Sequence, residues 1–184
     1  MTRLSFRHEL RQQTQAQHVA TEHDLARFTA SPIGHLPWFL ATQRAGLWAV
    51  FCSVDPAALI CTPVLHDLIA RLDADLAATG TTAHPAQPLR GLDPLAVDYL
   101  ILGSRLGTEV LRRQIFADQP PSALPAYFQL SPQPDLWRAH CAALDVIDPA
   151  SARAATIIAD TNTAFSLFQQ AARRQDTPEK VAAL

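Results

Sequence analysis

Cysteine is scarce in this chain, and what there is falls in no paired pattern. Cys52, Cys61 and Cys141 are the only three thiols in 184 residues. They form no CxxC pair and leave one over, which suits a reducing compartment and ordinary burial. An excess of charge of one sign is also lacking. Fifteen Lys+Arg against 17 Asp+Glu leave a net charge of -2 and a pI near 6.4, which argues against nucleic acid as the main partner. No uninterrupted apolar run approaches the roughly 18 residues of a membrane span, and the stretch MTRLSFRHELRQQ has no apolar signal-peptide core. The expectation is a cytoplasmic protein that does not engage a membrane. GxGxxG, P-loop, GxSxG and HExxH motifs are absent too, so nucleotide-binding, serine-hydrolase and zinc-protease readings find no anchor.

The residues present are those of a folded chain: 48% hydrophobic and 17% charged, enough for one core at this length. A single domain over residues 1–184 is expected. Helix starts are legible because Ser, Thr or Asp followed by Pro recurs, at Ser31, Thr62, Asp93, Asp148 and Thr177; this places a capping side chain before a proline whose missing N–H costs nothing at the first helical position. The pattern predicts helices over about residues 4–28, 35–53, 63–78, 94–116, 134–144 and 149–174. Residues 79–91 and the proline-rich 119–134 read as connections. No strand pattern, internal repeat or low-complexity stretch appears, and the fold class is all-α.

The helix over 94–116 is the informative one. At about 100° per residue, Asp98, Arg105, Glu109 and Arg112 align in one polar stripe, which predicts that the opposite side faces the interior. That side carries Gly103, Ser104, Gly107 and Thr108, between Leu100 and Leu111. Glycine within a helix costs roughly 1 kcal/mol against alanine. Two of them call for a close neighbour: either another helix crossing backbone to backbone, or something flat lying against the exposed peptide groups.

In the first helix Leu10, Thr14, His18, Thr21, Leu25 and Phe28 share one arc, which places His18 at the edge of the core-facing stripe. Glu22 follows one turn later, where it can accept a hydrogen bond from an imidazole. His8 and His23 read as solvent-facing, and His35, His66, His84 and His140 lack mutual metal-ligand spacing. Trp38, Phe39, Trp48 and Phe51 read as scaffold, while Asn162, Phe165 and Phe168 are placed to wall a pocket.

Together, LRQQTQAQHVATEHDLARF (residues 10–28) and YLILGSRLG (residues 99–107) resemble the two heme-facing helices of the heme oxygenase family. The second is similar to the distal helix of the bacterial, biliverdin-producing branch that carries Gly-Ser at its first glycine. The resemblance covers roughly residues 6–172 and implies an all-helical fold with heme between a proximal and a glycine-kinked distal helix. By that resemblance His18 would be the iron ligand, with no second metal, and Glu22 its partner. Arg11 and Tyr99 would meet the propionates; Arg11 lies about 10 Å before His18 along the helix axis, close to the reach from a porphyrin centre to its propionates. Arg138 is a further propionate candidate. Gly103, Ser104 and Gly107 would lie over the distal heme face, as both binding and catalytic elements. Leu102 stands where members with Gly-Ser often carry Glu, and Thr108 replaces a further glycine or alanine. The implied reaction is opening of heme to biliverdin, carbon monoxide and iron, with O2 and electrons from a reductase or ferredoxin-type donor. The protein is expected as a monomer or weak dimer. A non-catalytic heme carrier or sensor on the same fold is the alternative.

Overall fold

The structure is a computed structural model that describes residues 5–176. Among the described residues it is all-helical, without strands: α1 (Phe6–Asp24), α2 (Ala26–Ala30), α3 (Pro32–Phe51), α4 (Thr62–Thr79), α5 (Pro94–Ile115), α6 (Ala126–Gln129), α7 (Pro134–Asp145) and α8 (Ala152–Gln175), with short 3-10 turns at Pro56–Ala58 and Pro121–Ala123. No described helix is long and apolar enough to cross a membrane.

The centre is the crossing of α3 and α8. There Gly46 does what the sequence suggests for the glycines of α5: a Cβ at Gly46 would lie 2.6 Å from the Phe168 ring. α1 and α5 pack on other faces of α8, α4 backs α3, and α7 closes the far side of α1 and α5. One large apolar cluster fills the α3–α4–α5–α8 interior. A second, built on Phe6, Leu10, Ala96, Leu144, Ala154 and Ile157, joins α1, α5, α7 and α8.

The Xaa-Pro starts are borne out unevenly. Asp93 accepts from the Leu95 amide and caps α5. Asp148 accepts from the Ala150 amide one turn early, and Ser151, accepting from the Ala154 amide, caps α8. Ser31 precedes α3 without a side-chain cap bond. Thr62 lies inside α4, its hydroxyl given to the Pro56 carbonyl. The Thr177-Pro178 start lies outside the described residues. The predicted first helix breaks at Leu25 into α1 and α2, and the predicted 119–134 connection contains a 3-10 turn and α6.

The polar stripe of α5 corrects the expectation most directly. Asp98 and Arg105 are 1% and 2% exposed, so this stripe faces inward at its first half. Asp98 accepts from the amides of Ile60 and Cys61 at the start of α4 (3.3 and 3.0 Å), and burial pushes its carboxyl above the usual range. Arg105 donates to the carbonyls of Leu130 (2.6 Å) and Tyr127 (3.4 Å). Periodicity found the face; it assigned the wrong side to solvent because both side chains satisfy backbone groups that have no sequence signature.

Candidate functional site

The inward turn of Asp98 and Arg105 leaves the small-residue face of α5 looking into a cleft of about 490 Å³. Its walls are α1 with α2 on one side, α5 on the other, and α3, α6 and α8 behind. Phe28, Phe39, Leu100, Leu111, Phe165 and Phe168 make most of it apolar. The volume is in the usual range, roughly 300–1,000 Å³, for organic ligand sites.

His18 enters from α1. Its ring stands edge-on to Phe165, centroids 5.5 Å apart, and Nδ1 lies 3.6 Å from the Glu22 carboxylate. That distance is too long for a hydrogen bond, so the imidazole is oriented by packing with the carboxylate nearby. The side chain is 49% exposed, so from the edge of the core-facing stripe it turns outward more than expected and opens onto the cleft mouth. Phe165 and Phe168 wall the cleft as expected, whereas Asn162 instead approaches the Gln13 carbonyl at 3.5 Å.

On α5, Gly107 meets nothing: a Cβ there would have no neighbour within 4 Å. No helix crosses at this position. Gly103 is turned away; its Cβ would touch the Trp137 ring of α7 at 3.7 Å. Ser104 and Thr108 line the cleft, but Ser104 donates to the Ile101 carbonyl (2.8 Å) and Thr108 to the Ser104 carbonyl (2.9 Å). The notch is thus real at Gly107, while Gly103 serves α5–α7 packing.

The structure therefore brings His18, Glu22, Ser104 and Gly107 to one cleft, and leaves Arg11, Tyr99 and Gly103 outside its lining. Arg11 and Tyr99 are neighbours of each other. Burial raises the Tyr99 hydroxyl above its ordinary range, against the pull of the Thr14 side chain and the Arg11 charge. Its ring lies beside Trp137 and His140. Arg138 pairs with Asp135 on the exposed side of α7. Trp48, expected as scaffold, is 41% exposed beneath the Arg44 guanidinium.

Residues not singled out by sequence complete the inner wall: Gln43 on α3 and Tyr127 on α6, both buried. Gln43 had a signal, a lone amide within the apolar run from Phe39 to Val50. Tyr127 had none, because α6 is a four-residue helix in a proline-rich stretch. It is held by Asp75, whose two carboxylate oxygens accept from the Ala126 and Tyr127 amides at 2.7 and 2.9 Å.

Compared with known proteins, the chain matches no protein-family model, no curated protein and no solved structure.

Proposed function

We propose that this protein is a heme oxygenase-like enzyme that takes heme between α1 and α5 as its substrate. The observation that carries the reading is one geometry: an unclaimed imidazole, His18, opens onto an apolar cleft whose opposite wall lacks a side chain at Gly107. Among the described residues no group of three or more His, Cys, Asp or Glu side chains is arranged for a bare metal ion. A lone histidine suits a metal whose other ligands come with the substrate, as in heme iron.

The chain's own residues divide the work. His18 would hold the iron, with Glu22 close enough to bias the imidazole. Phe165 fixes the ring plane, and the aromatic walls exclude water. Gly107 leaves room for a macrocycle against the α5 backbone. Arg11 and Tyr99 sit off the lining and could meet a propionate only where it leaves the cleft. Bound heme supplies the site for O2 chemistry, and an external reductase or ferredoxin-type donor supplies electrons. The products would be biliverdin, carbon monoxide and iron.

One observation favours the second reading, a heme carrier or sensor without turnover: no carboxylate lies on the α5 wall, and the Ser104 hydroxyl is committed to its own helix. Two experiments test the readings in turn. Hemin titration should give one equivalent per chain with a histidine-type absorption band, lost in His18→Ala; an unchanged band in that variant removes His18 from the site. The loaded protein, given O2, a reductant and catalase, should then lose the band and yield biliverdin. Stable heme under those conditions replaces the enzyme with the carrier.

A further inference from the structure

The buried end of the cleft is polar, and the reading above does not use it. Tyr127 reaches Gln43 Oε1 at 3.2 Å and Thr108 Oγ1 at 3.4 Å with its hydroxyl. Both are long for hydroxyl hydrogen bonds, and the Thr108 proton already goes to the Ser104 carbonyl. The phenol proton is weakly engaged. Whichever way the Gln43 amide is turned, one of its two ends has no protein partner among the described residues.

Arg105 lies behind this wall. Its guanidinium carbon is 5.0 Å from the centre of the Tyr127 ring. It is buried, its Nε and Nη1 make no hydrogen bond, and two backbone carbonyls are its hydrogen-bond acceptors. A buried cation with no carboxylate paired to it among the described residues favours electron-rich groups nearby. Placed over a phenol ring, it draws on the π system and strengthens the hydroxyl as a donor.

We infer that Tyr127 is the hydrogen-bond donor at the buried end of the cleft and takes an electron-rich oxygen atom of the bound ligand. Gln43 and Thr108 flank the hydroxyl as long, displaceable partners, Asp75 fixes α6, and Arg105 supplies the positive charge behind the ring. The ligand class is a flat, mostly apolar molecule that carries an oxygen acceptor at its buried edge or is bound together with one. This deepens the heme reading and rests on it only for the identity of the ligand. It supplies on the α5 side the donor that Ser104, with its proton committed, does not.

The test uses Nile red, a flat uncharged dye with a carbonyl oxygen whose emission moves to the red on accepting a hydrogen bond. Dye and hemin are titrated separately into wild type, Tyr127→Phe and Thr108→Val. Dye bound to Tyr127→Phe should emit to the blue of wild type and bind about three- to tenfold more weakly, the loss of one hydrogen bond. Thr108→Val removes an acceptor that competes for the phenol proton, because the Thr108 proton is given to Ser104; dye bound to it should emit slightly to the red of wild type, and this shift carries the test if Tyr127→Phe fails to fold. Emission and affinity that are equal in wild type and the folded variants overturn the inference, as does failure of wild type to bind the dye. Hemin keeps the two claims apart. Tyr127-dependent dye emission in a protein that refuses hemin retains the donor and removes the heme reading. Hemin bound through His18 with dye emission indifferent to Tyr127 does the reverse.

Discussion

At Gly107 a side chain would enter open space, so the effects of substitution on folding and on binding should separate. Gly107→Leu replaces a poor helix former with a good one, a gain of roughly 0.5–1 kcal/mol in a helix interior, and its Cβ would have no neighbour within 4 Å. The variant should melt at or above the wild-type temperature while hemin affinity falls at least tenfold. Early melting with normal hemin binding would mean that the space belongs to packing. Arg11 poses a different question because the structure sets it beside Tyr99 and off the cleft lining. If it meets a propionate at the rim, Arg11→Glu should weaken hemin binding by about 1–3 kcal/mol, the range for a charge-assisted hydrogen bond. Equal affinity in wild type and variant would return Arg11 to the solvated surface.

Among the elements, the long helices were legible because their apolar periodicity and their punctuation agree; α5 shows this best, with Asp93 capping where the proline rule put a cap. The short ones were not. α6 is four residues held by Asp75 and Arg105 from other helices, and no local pattern can announce long-range support. The same limit explains the reversed reading of the α5 polar stripe, whose buried members bond carbonyls and amides of α6 and of the start of α4. The candidate site was legible where one helix carried the signal, at His18, Glu22, Ser104 and Gly107, and illegible where α3 and α6 meet, at Gln43 and Tyr127. The choice between a helix crossing and a flat ligand at the α5 glycines stayed open in the sequence for a related reason: small residues mark closeness without naming the partner. Gly46 is the one against an aromatic ring. Gly46→Ala would need that ring or both helices to move, and should destabilise by about 1–3 kcal/mol as overpacking does, measured by chemical denaturation. A neutral result would mean that Phe168 rotates freely into the cleft it lines.

Across the whole molecule, acid should act in two separate windows. His140 on α7 is 0% exposed between Tyr99 and Trp137, and neither ring nitrogen makes a hydrogen bond; burial lowers its pKa from 6.5 to about 4. Between those values the unfolded chain takes up a proton that the folded chain refuses, so stability falls as pH drops from about 6.5 and levels off near 4. At about 1.4 kcal/mol per pKa unit the loss is up to about 3 kcal/mol. Glu109 acts lower. Its hydrogen bond with Arg112, then that with Arg113, holds its carboxyl at about 2 against an ordinary 4.5, so its contribution is present above 4.5 and is lost only as pH falls towards 2. The windows barely overlap, and one substitution separates them. His140→Phe keeps an aromatic ring against Tyr99 and Trp137 but has no nitrogen to protonate, so denaturant midpoints measured from pH 7 to pH 4 should lose most of their slope while the decline below 4.5 remains. Because α7 packs against both α1 and α5, the helices that wall the cleft, loosening of α7 in wild type should also make hemin binding weaken over the same 6.5-to-4 range, a component that His140→Phe should remove. An identical pH profile of stability in wild type and His140→Phe would show that His140 reaches solvent readily enough to titrate as an ordinary histidine, and would take this coupling away.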